Sequence, residues 1–246
     1  MTMNDSKVAL VTGASRGIGA AIARRLAHDG FSVVVNYAGN AERAEARVRE
    51  IESAGGRALA AQADVSDPAA VAAMFEAVQA AFGGVDVLVN NAGIIALSPL
   101  AETDDDGFDR LVSVNLKGSF NTMREAARRL RTGGRIINFS SSVVGLRQPG
   151  YGIYAATKAG IEALTSVLAK ELRGRAITVN AVAPGPTATD LFLSGKSAEL
   201  IEHYTRMAPL ERLGTPDDIA AAVAFLAGPD GSWINGQTLR ANGGLI

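Results

Sequence analysis

Cysteine is absent from the 246 residues of this chain, which excludes a disulfide framework, a thiolate nucleophile and a cysteine-bound metal. No apolar run approaches the roughly 20 residues of a membrane-spanning helix, and the first seven residues lack the apolar core of a signal peptide. The 24 basic and 25 acidic residues give a net charge of −1, without a basic footprint for nucleic acid or an anionic membrane. We expect a cytoplasmic protein with no nucleic-acid or membrane partner.

Histidine is also scarce. The chain has two, His28 and His203, and they are far apart in sequence. Two isolated histidines without cysteine do not form a metal site, so none is predicted.

What is present favours one α/β domain over residues 1–246, because short apolar runs alternate with longer helical patterns. The predicted strands are residues 8–12, 32–36, 58–63, 85–90, 135–139, 177–182 and 237–240. The predicted helices are residues 17–29, 41–54, 68–82, 103–130, 152–172 and 216–226. Several strands are apolar on both faces, which is typical of a buried parallel sheet. The pattern predicts a doubly wound, Rossmann-like parallel sheet of seven strands with helices on both faces.

A glycine-rich turn follows the first predicted strand. Gly13, Gly17 and Gly19 precede an apolar helix, and such a turn lets backbone N–H groups approach a phosphate at the helix N-terminus. The spacing is G-x-x-x-G-x-G and not the general G-x-G-x-x-G fingerprint, so a purely structural turn is the alternative. Its position after the first strand favours dinucleotide binding.

The end of the second predicted strand bears on cofactor choice. In dinucleotide sites an acid at this point binds the ribose 2′-hydroxyl and repels a 2′-phosphate. The chain has the neutral Asn36 there and Arg16 in the neighbouring turn, which favours NADP, although asparagine also serves NAD.

Lys158 follows Tyr154 by four positions in a predicted helix, so the two side chains share one face. A nearby ammonium lowers the pKa of a phenol, which ordinarily has a pKa of about 10. The pair therefore suggests a proton donor, whereas an isolated pair of this kind is more often a surface contact.

Taken together, these segments resemble the short-chain dehydrogenase/reductase family, and within it the 3-oxoacyl-[acyl-carrier-protein] reductase branch. The tail at Arg240, Ala241 and Asn242 departs from the valine-aspartate-glycine-glycine pattern of that branch. The matching pieces are Thr12 to Gly19, Asp64-Val65, Asn90 to Gly93, Asn115, the serines before Val143, Tyr154-x-x-x-Lys158 and Pro184-Gly185.

The resemblance implies a catalytic set. Tyr154 would donate a proton to a substrate carbonyl, Lys158 would bind the nicotinamide ribose and lower the pKa of Tyr154, and Asn115 would anchor a water beside Lys158. The carbonyl-binding serine of the family usually lies thirteen residues before the tyrosine, at Ser141. The local Ser-Val-Val-Gly pattern instead favours Ser142, because a loop absorbs a deletion more easily than a strand end slips. We predict Ser142, with Ser141 as the alternative.

The resemblance also implies an NADP site that extends along the carboxyl ends of the strands. Asp64 would bind the adenine amino group, unless it is a helix N-cap placed early. The full set is Gly13, Ser15, Arg16, Gly17, Ile18, Gly19, Asn36, Tyr37, Ala38, Asp64, Val65, Asn91, Ala92, Gly93, Val114, Tyr154, Lys158, Pro184, Gly185, Thr187 and Thr189.

Residues 187–213 interrupt the alternation of strands and helices and are predicted to form one or two short helices, which the resemblance identifies as a substrate lid. The implied activity is NADPH-dependent reduction of a 3-oxoacyl thioester, either free or bound to acyl carrier protein, by a homotetramer. Oxidation of a sugar, polyol, steroid or other secondary alcohol is the alternative with the same residues. A third alternative is not an enzyme: a sensor that binds a dinucleotide without catalysing a reaction.

Overall fold

The computed structural model describes residues 6–246, and residues 1–5, part of the segment for which no signal peptide is expected, lie outside it. The strands are β1 Val8–Val11, β2 Ser32–Tyr37, β3 Arg57–Gln62, β4 Val87–Asn90, β5 Arg135–Phe139, β6 Thr178–Pro184 and β7 Thr238–Ala241. The α-helices are α1 Gly17–His28, α2 Ala41–Ser53, α3 Pro68–Phe82, α4 Asp105–Leu111, α5 Gly118–Arg129, α6 Val143–Leu146, α7 Gly152–Glu171, α8 Asp190–Leu193, α9 Ala198–Met207 and α10 Pro216–Ala227.

All strand pairings are parallel, in the order β3-β2-β1-β4-β5-β6-β7. The chain leaves β1 in one direction along the sheet and later returns beside it as β4. This reversal opens a crevice at the carboxyl ends of β1 and β4, where doubly wound sheets bind ligands. The predicted seven-stranded, doubly wound fold is confirmed.

The core lies on both faces of the sheet, because successive side chains of a strand point to opposite sides. In β1, Val8 and Leu10 pack on the side of α3 and α5, whereas Ala9 and Val11 pack on the side of α1 and α10. Leu10 and Val11 are completely buried. Burial of each such side chain contributes about 1.5–3 kcal/mol, so the apolar runs place the strands at the centre of the domain.

The predicted helix 103–130 is not continuous. The structure divides it into α4, a π-helical segment at Val112–Lys117 and α5. The interruption is a short π-helical segment with α-helix on both sides, and the sequence pattern did not distinguish it from continuous α-helix. The insertion carries Asn115, whose importance is described below.

Residues 187–213 form an excursion that is closed at its base. Gly214 donates its N–H to Pro186 O at 2.9 Å, and Ala188 donates to Gly214 O at 2.8 Å. The excursion contains the two short helices α8 and α9, as predicted. Between residues 6 and 246, no helix combines the length and the hydropathy needed to cross a membrane.

Candidate active site

The turn after β1 requires glycine for steric reasons. Gly13 and Gly17 have φ values of +62° and +56°, in the left-handed region that side chains disfavour. A Cβ atom on Gly19 would lie 2.5 Å from both Asn91 Nδ2 and Gly13 O. The Asn91 amide is itself fixed by donating to Thr12 O at 2.9 Å. The glycine turn is therefore held by contacts with Asn91, the residue that follows β4.

The N-terminus of α1 is open to an anion. Its N-cap residue, Arg16, makes no side-chain capping hydrogen bond, and the first turn contains no acidic residue. The leading N–H groups and the positive end of the helix dipole thus face the crevice without an acceptor from the cap. This arrangement, beside glycines that admit close backbone approach, fits a dinucleotide pyrophosphate.

Asn36 has a different role from the one expected. It is 1% exposed, and its side-chain Oδ1 accepts from Gly13 N at 3.2 Å. Its Nδ2 donates to Ala61 O and Ala63 O, both at 3.1 Å. Asn36 borders the cleft, but its polar atoms join the glycine turn to β3 and do not face a ribose. β2 continues to the half-buried Tyr37, which ends the strand.

Asp64 is exposed at the end of β3 and is not a helix cap. The N-cap of α3 is Asp67, which accepts from Ala69 N at 2.8 Å. One oxygen of Asp64 accepts from the backbone and hydroxyl groups of Ser66, at 2.9 and 2.7 Å. The alternative role of Asp64 as an early N-cap is therefore excluded.

The predicted cofactor residues surround two joined clefts. The larger, with a volume of about 680 Å³, is lined by Gly13, Ser15, Arg16, Gly17, Ile18, Gly19, Asn36, Tyr37, Ala38, Asp64, Val65, Asn91, Ala92, Gly93, Val114 and Thr189. The smaller, of about 180 Å³, is lined by Tyr154, Lys158, Pro184, Gly185 and Thr187. Ile18, Asn91, Gly93 and Thr189 border both clefts. One continuous crevice therefore runs from the glycine turn to Tyr154.

Lys158 lies behind the smaller cleft and is 5% exposed. Its Nζ donates to Phe139 O at 2.9 Å, and it makes no ion pair with any residue of the described chain. Burial without a carboxylate partner lowers the pKa of Lys158 to about 8. A lysine in this environment readily exchanges a proton near neutral pH.

Tyr154 shares the face of α7 with Lys158, whose Nζ is 5.6 Å from the centre of the tyrosine ring. We expected Lys158 to lower the pKa of Tyr154. In the structure burial dominates and raises that pKa, while a hydrogen bond with the Ser141 side chain acts in the lowering direction. Burial also favours the neutral form of Lys158, which weakens its effect on the phenol.

The serine beside the Tyr154 side chain is Ser141, the alternative, and not the predicted Ser142. Ser142 also borders the smaller cleft, but its hydroxyl donates to Ala183 O at 3.4 Å and accepts from Asn242 Nδ2 at 3.1 Å. Ser142 is 2% exposed. Ser141 borders the cleft and reaches the Tyr154 side chain. Ser141 lies thirteen residues before Tyr154, which is the usual spacing that the resemblance implies.

Asn115 links the π-helical segment to the loop after β4. Its Oδ1 accepts from Ile94 N at 2.8 Å, and its Nδ2 donates to Ile94 O at 2.9 Å. A Cβ on Gly93 would lie 3.2 Å from Asn115 Oδ1 and 3.7 Å from Lys158 Nζ. Asn115 and Lys158 are therefore neighbours across Gly93.

The loop after β6 forms the opposite wall. Thr187 is buried. Its hydroxyl proton is already used in a hydrogen bond to Gly185 O at 2.9 Å. Thr189 is the N-cap of α8, and its methyl group lies 3.6 Å from the position of a Cβ on Gly17. The base of residues 187–213 thus contacts the glycine turn.

Sequence reasoning missed several residues of the crevice. Arg43 borders the larger cleft from the first turn of α2, and Ile94 borders both clefts. Tyr151 borders the smaller cleft, and its hydroxyl is 3.4 Å from that of Tyr204 in α9. Its position three residues before Tyr154 was a signal, since residues three apart share a helix face. No sequence signal placed Arg43 on the same cleft as Arg16.

Comparison with known proteins agrees with this geometry. A family model described as enoyl-(acyl carrier protein) reductase matches residues 13–246. The chain is 47% identical to the 3-oxoacyl-[acyl-carrier-protein] reductase FabG of Staphylococcus aureus, over 99% of each protein. It is 46% identical to an NADPH-dependent aldehyde reductase-like protein of Arabidopsis thaliana, over 98% of this chain and 94% of that protein.

A crystal structure of a short chain dehydrogenase from Burkholderia cenocepacia in complex with NADP is similar with a TM-score of 0.92, at 44% identity over 97% of each chain. Similarity of this extent, along the whole chain, shows that the protein belongs to the short-chain dehydrogenase/reductase family, near its 3-oxoacyl-[acyl-carrier-protein] reductase branch, and is an NAD(P)-dependent oxidoreductase.

Proposed function

We propose that this enzyme reduces a carbonyl group to a secondary alcohol with NADPH, and that a 3-oxoacyl thioester is its substrate. The observation that carries the proposal is that Tyr154, Ser141 and Lys158 line the smaller cleft, which shares bordering residues with the dinucleotide-sized one. A proton donor and a hydride donor can act there on the two ends of one carbonyl bond.

In this reaction NADPH supplies the hydride to the carbonyl carbon. Tyr154 donates its proton to the carbonyl oxygen, and its raised pKa keeps the hydroxyl protonated until that step. Ser141 orients the carbonyl oxygen by hydrogen bonding. We assign these roles to Ser141 and Tyr154, with Ser142 as a structural residue.

The proton lost by Tyr154 must be replaced. Lys158, with a pKa of about 8, is the nearest ionisable group on the same helix face. Asn115 lies across Gly93 from Lys158, where its amide would hold the water that we expect to connect the lysine with solvent. In the bound state the Lys158 ammonium would also contact the nicotinamide ribose.

The larger cleft would bind the rest of the dinucleotide, with the pyrophosphate at the N-terminus of α1 and the adenine beside Asp64 and Val65. Preference for NADPH is supported by Arg16 and Arg43, which both border this cleft. Neither guanidinium has a carboxylate partner within residues 6–246, so both are available to a 2′-phosphate. Tyr37 replaces Asn36 as the residue at the end of β2 that we expect to face the ribose.

Cofactor preference is tested by Arg43→Ala, which should weaken NADPH binding and leave NADH binding unchanged. One charge-assisted hydrogen bond is worth about 1.5–3 kcal/mol, or roughly a 10–150-fold change in Kd. Arg47→Ala, one turn further along α2 and paired with Glu50, is the matched control. An equal loss of both cofactors in Arg43→Ala would contradict the proposed 2′-phosphate contact.

The substrate end is mainly apolar. Ile94, Ile95, Leu146 and Phe192 border it, which suits an acyl chain. Tyr151, the N-cap of α7, contacts Tyr204 of the proposed lid, and both border the smaller cleft of about 180 Å³. This size also suits a compact ketone or secondary alcohol, which keeps that substrate class as the second candidate.

The function is tested by initial rates of NADPH and NADH oxidation with a short 3-oxoacyl thioester and a panel of ketones and sugars. Tyr154→Phe should retain NADPH binding and lose about 10²–10⁴-fold in kcat, the usual contribution of a positioned general acid. Turnover of the thioester supports the acyl-chain assignment. Turnover of another carbonyl alone would replace that assignment, and normal kcat in Tyr154→Phe would refute the role of the tyrosine.

We also propose a cytoplasmic homotetramer. Phe120 on α5 and Val167 on α7 are large apolar residues that are 42% and 50% exposed, and Trp233 is 97% exposed. Exposed apolar groups on adjacent helices are typical of a subunit contact. Light scattering on the eluting peak of a sizing column tests the assembly, with a monomer mass as the contrary result.

A further inference from the structure

We propose that Asn242, just after β7, is a positioning residue that holds the turn carrying Ser141 in place through a contact with Ser142. The inference rests on the proposed role of Ser141 at the substrate carbonyl. It gives a role to a segment of the chain that departs from the pattern of the related branch and lies a hundred residues from the turn it contacts.

The contact is direct. Asn242 Nδ2 donates to Ser142 Oγ at 3.1 Å, which leaves the Ser142 hydroxyl proton for Ala183 O at 3.4 Å. The backbone of Ser142 donates to Pro184 O at 2.9 Å. Ser142 is thus held by the ends of both β6 and β7, and Ser141 is the next residue along the chain.

Asn242 is itself fixed. Its Oδ1 accepts from Gly244 N at 3.1 Å, and Gly185 donates its N–H to Ala241 O at 3.0 Å. A Cβ on Gly185 would lie 2.8 Å from Asn242 Cβ, so the two backbones are in close contact. An amide suits this position because it donates to Ser142 and accepts from Gly244 at once.

The tail reaches the same turn at a second point. A Cβ on Gly145, in the short helix α6 that follows Ser142, would lie 2.4 Å from Ile246 Cδ1. The segment after β7 therefore packs along both the turn and the helix that come after β5. Loss of the Asn242 contact would let Ser142 rotate and would displace Ser141 from the Tyr154 hydroxyl.

The test is a double-mutant cycle with Asn242→Leu, Ser142→Ala and the combined variant, measured by kcat and by KM for NADPH. Each single change should lower kcat about 3–10-fold, the effect of losing one ordinary hydrogen bond, without changing KM for NADPH. Because both changes break the same hydrogen bond, the combined variant should lose no more kcat than either single variant does. A multiplicative loss would overturn the inference.

Two further readouts separate positioning from general destabilisation. Reduction requires protonated Tyr154, and the Ser141 hydrogen bond acts to lower its pKa, so displacement of Ser141 should move the alkaline fall in kcat to higher pH. Asn242→Asp should restore kcat, because the Ser142 hydroxyl can leave its long contact with Ala183 O and donate to the carboxylate, which still accepts from Gly244 N. An unmoved pH profile in Asn242→Leu, or no rescue by Asn242→Asp, would count against the proposal.

Asn235→Leu is the matched control. Asn235 also lies near β7, where its Oδ1 accepts from Val179 N at 2.8 Å, away from both clefts. It should lower Tm and leave kcat and the pH profile unchanged. If Asn242→Leu does not fold, Ser142→Ala should still move the alkaline fall in kcat to higher pH, and Asn242→Asp should keep the pH profile of the natural protein. Any other result would overturn the inference. Full activity of Ser141→Ala would instead refute the proposed function on which the inference rests.

Discussion

Asn36→Asp distinguishes a ribose-facing residue from one that holds the cofactor turn. If Asn36 faced the ribose, the new carboxylate would repel a 2′-phosphate and shift the preference from NADPH to NADH. In the structure the Asn36 amide points into the protein and donates to two carbonyl oxygens of the chain around the end of β3. We expect the substitution to destabilise the fold and to weaken binding of both cofactors.

The magnitude follows from the lost donor. Aspartate retains an acceptor for Gly13 N, but it cannot donate to Ala61 O and Ala63 O, and it places a carboxylate oxygen against them. Position 36 is 1% exposed, so water does not replace the amide. Losing both hydrogen bonds and placing a carboxylate against two carbonyl oxygens costs about 2–5 kcal/mol in the free energy of unfolding. At about 2–4 °C per kcal/mol for a chain of this size, Tm should fall by roughly 5–15 °C.

The assay combines thermal and urea unfolding with fluorescence titration of NADPH and NADH. Tyr37→Asp is the matched variant, because position 37 ends β2 at the cleft and is half-buried. It should retain most of the stability and shift the cofactor ratio toward NADH. An Asn36→Asp variant with an unchanged Tm and a reversed cofactor ratio would refute the reasoning.

Three other predictions follow from single positions. Gly19→Ala should abolish binding of both cofactors and lower Tm, because its Cβ would lie 2.5 Å from Asn91 Nδ2 and Gly13 O; normal NADPH titration would contradict the proposed steric limit. Asn115→Leu should lower Tm and kcat together, since it removes both hydrogen bonds to Ile94 and the amide beside Lys158; unfolding scans and initial rates measure this, and an unchanged kcat would remove Asn115 from the proton path. The pKa of Lys158 is lowered to about 8 from 10.5, so the unfolded state binds more protons between these values and the stability of the natural protein rises with pH there. Relative to Lys158→Met, its free energy of unfolding should increase by about 3 kcal/mol from pH 8 to 10.5 in urea titrations, and parallel curves would show that the lysine is not desolvated.

The sequence was sufficient for the fold because its signals are local. Val8 to Val11 are apolar on both faces, and a run of that kind can be buried only in a sheet covered on two sides. The sequence also predicted the glycine turn, because the residues between a parallel strand and the helix that follows it form the turn at the crevice. These features depend on neighbours within a few positions in the chain.

The sequence did not decide the surroundings of residues whose partners lie far away in the chain. Ser141 and Ser142 are chemically identical and adjacent, and their roles are separated by Asn242, Ala183 and Tyr154. Asn36 lies at the correct end of β2, but which way its amide points is decided by carbonyl groups near the end of β3. The sequence likewise did not predict that the pKa of Tyr154 is raised, because burial is a property of the folded domain.

The sequence by itself determined the alternation of strands and helices, the glycine turn at the first helix and the spacing of Tyr154 and Lys158 on one helix face, because periodicity and local sterics act within a few residues. Only the tertiary structure decided which serine lies beside Tyr154, that Asn36 supports the glycine turn and that Asn242 reaches the turn that carries Ser141 and Ser142. Hydrogen-bond direction and desolvation arise when separate strand ends are brought together, and no local pattern encodes them.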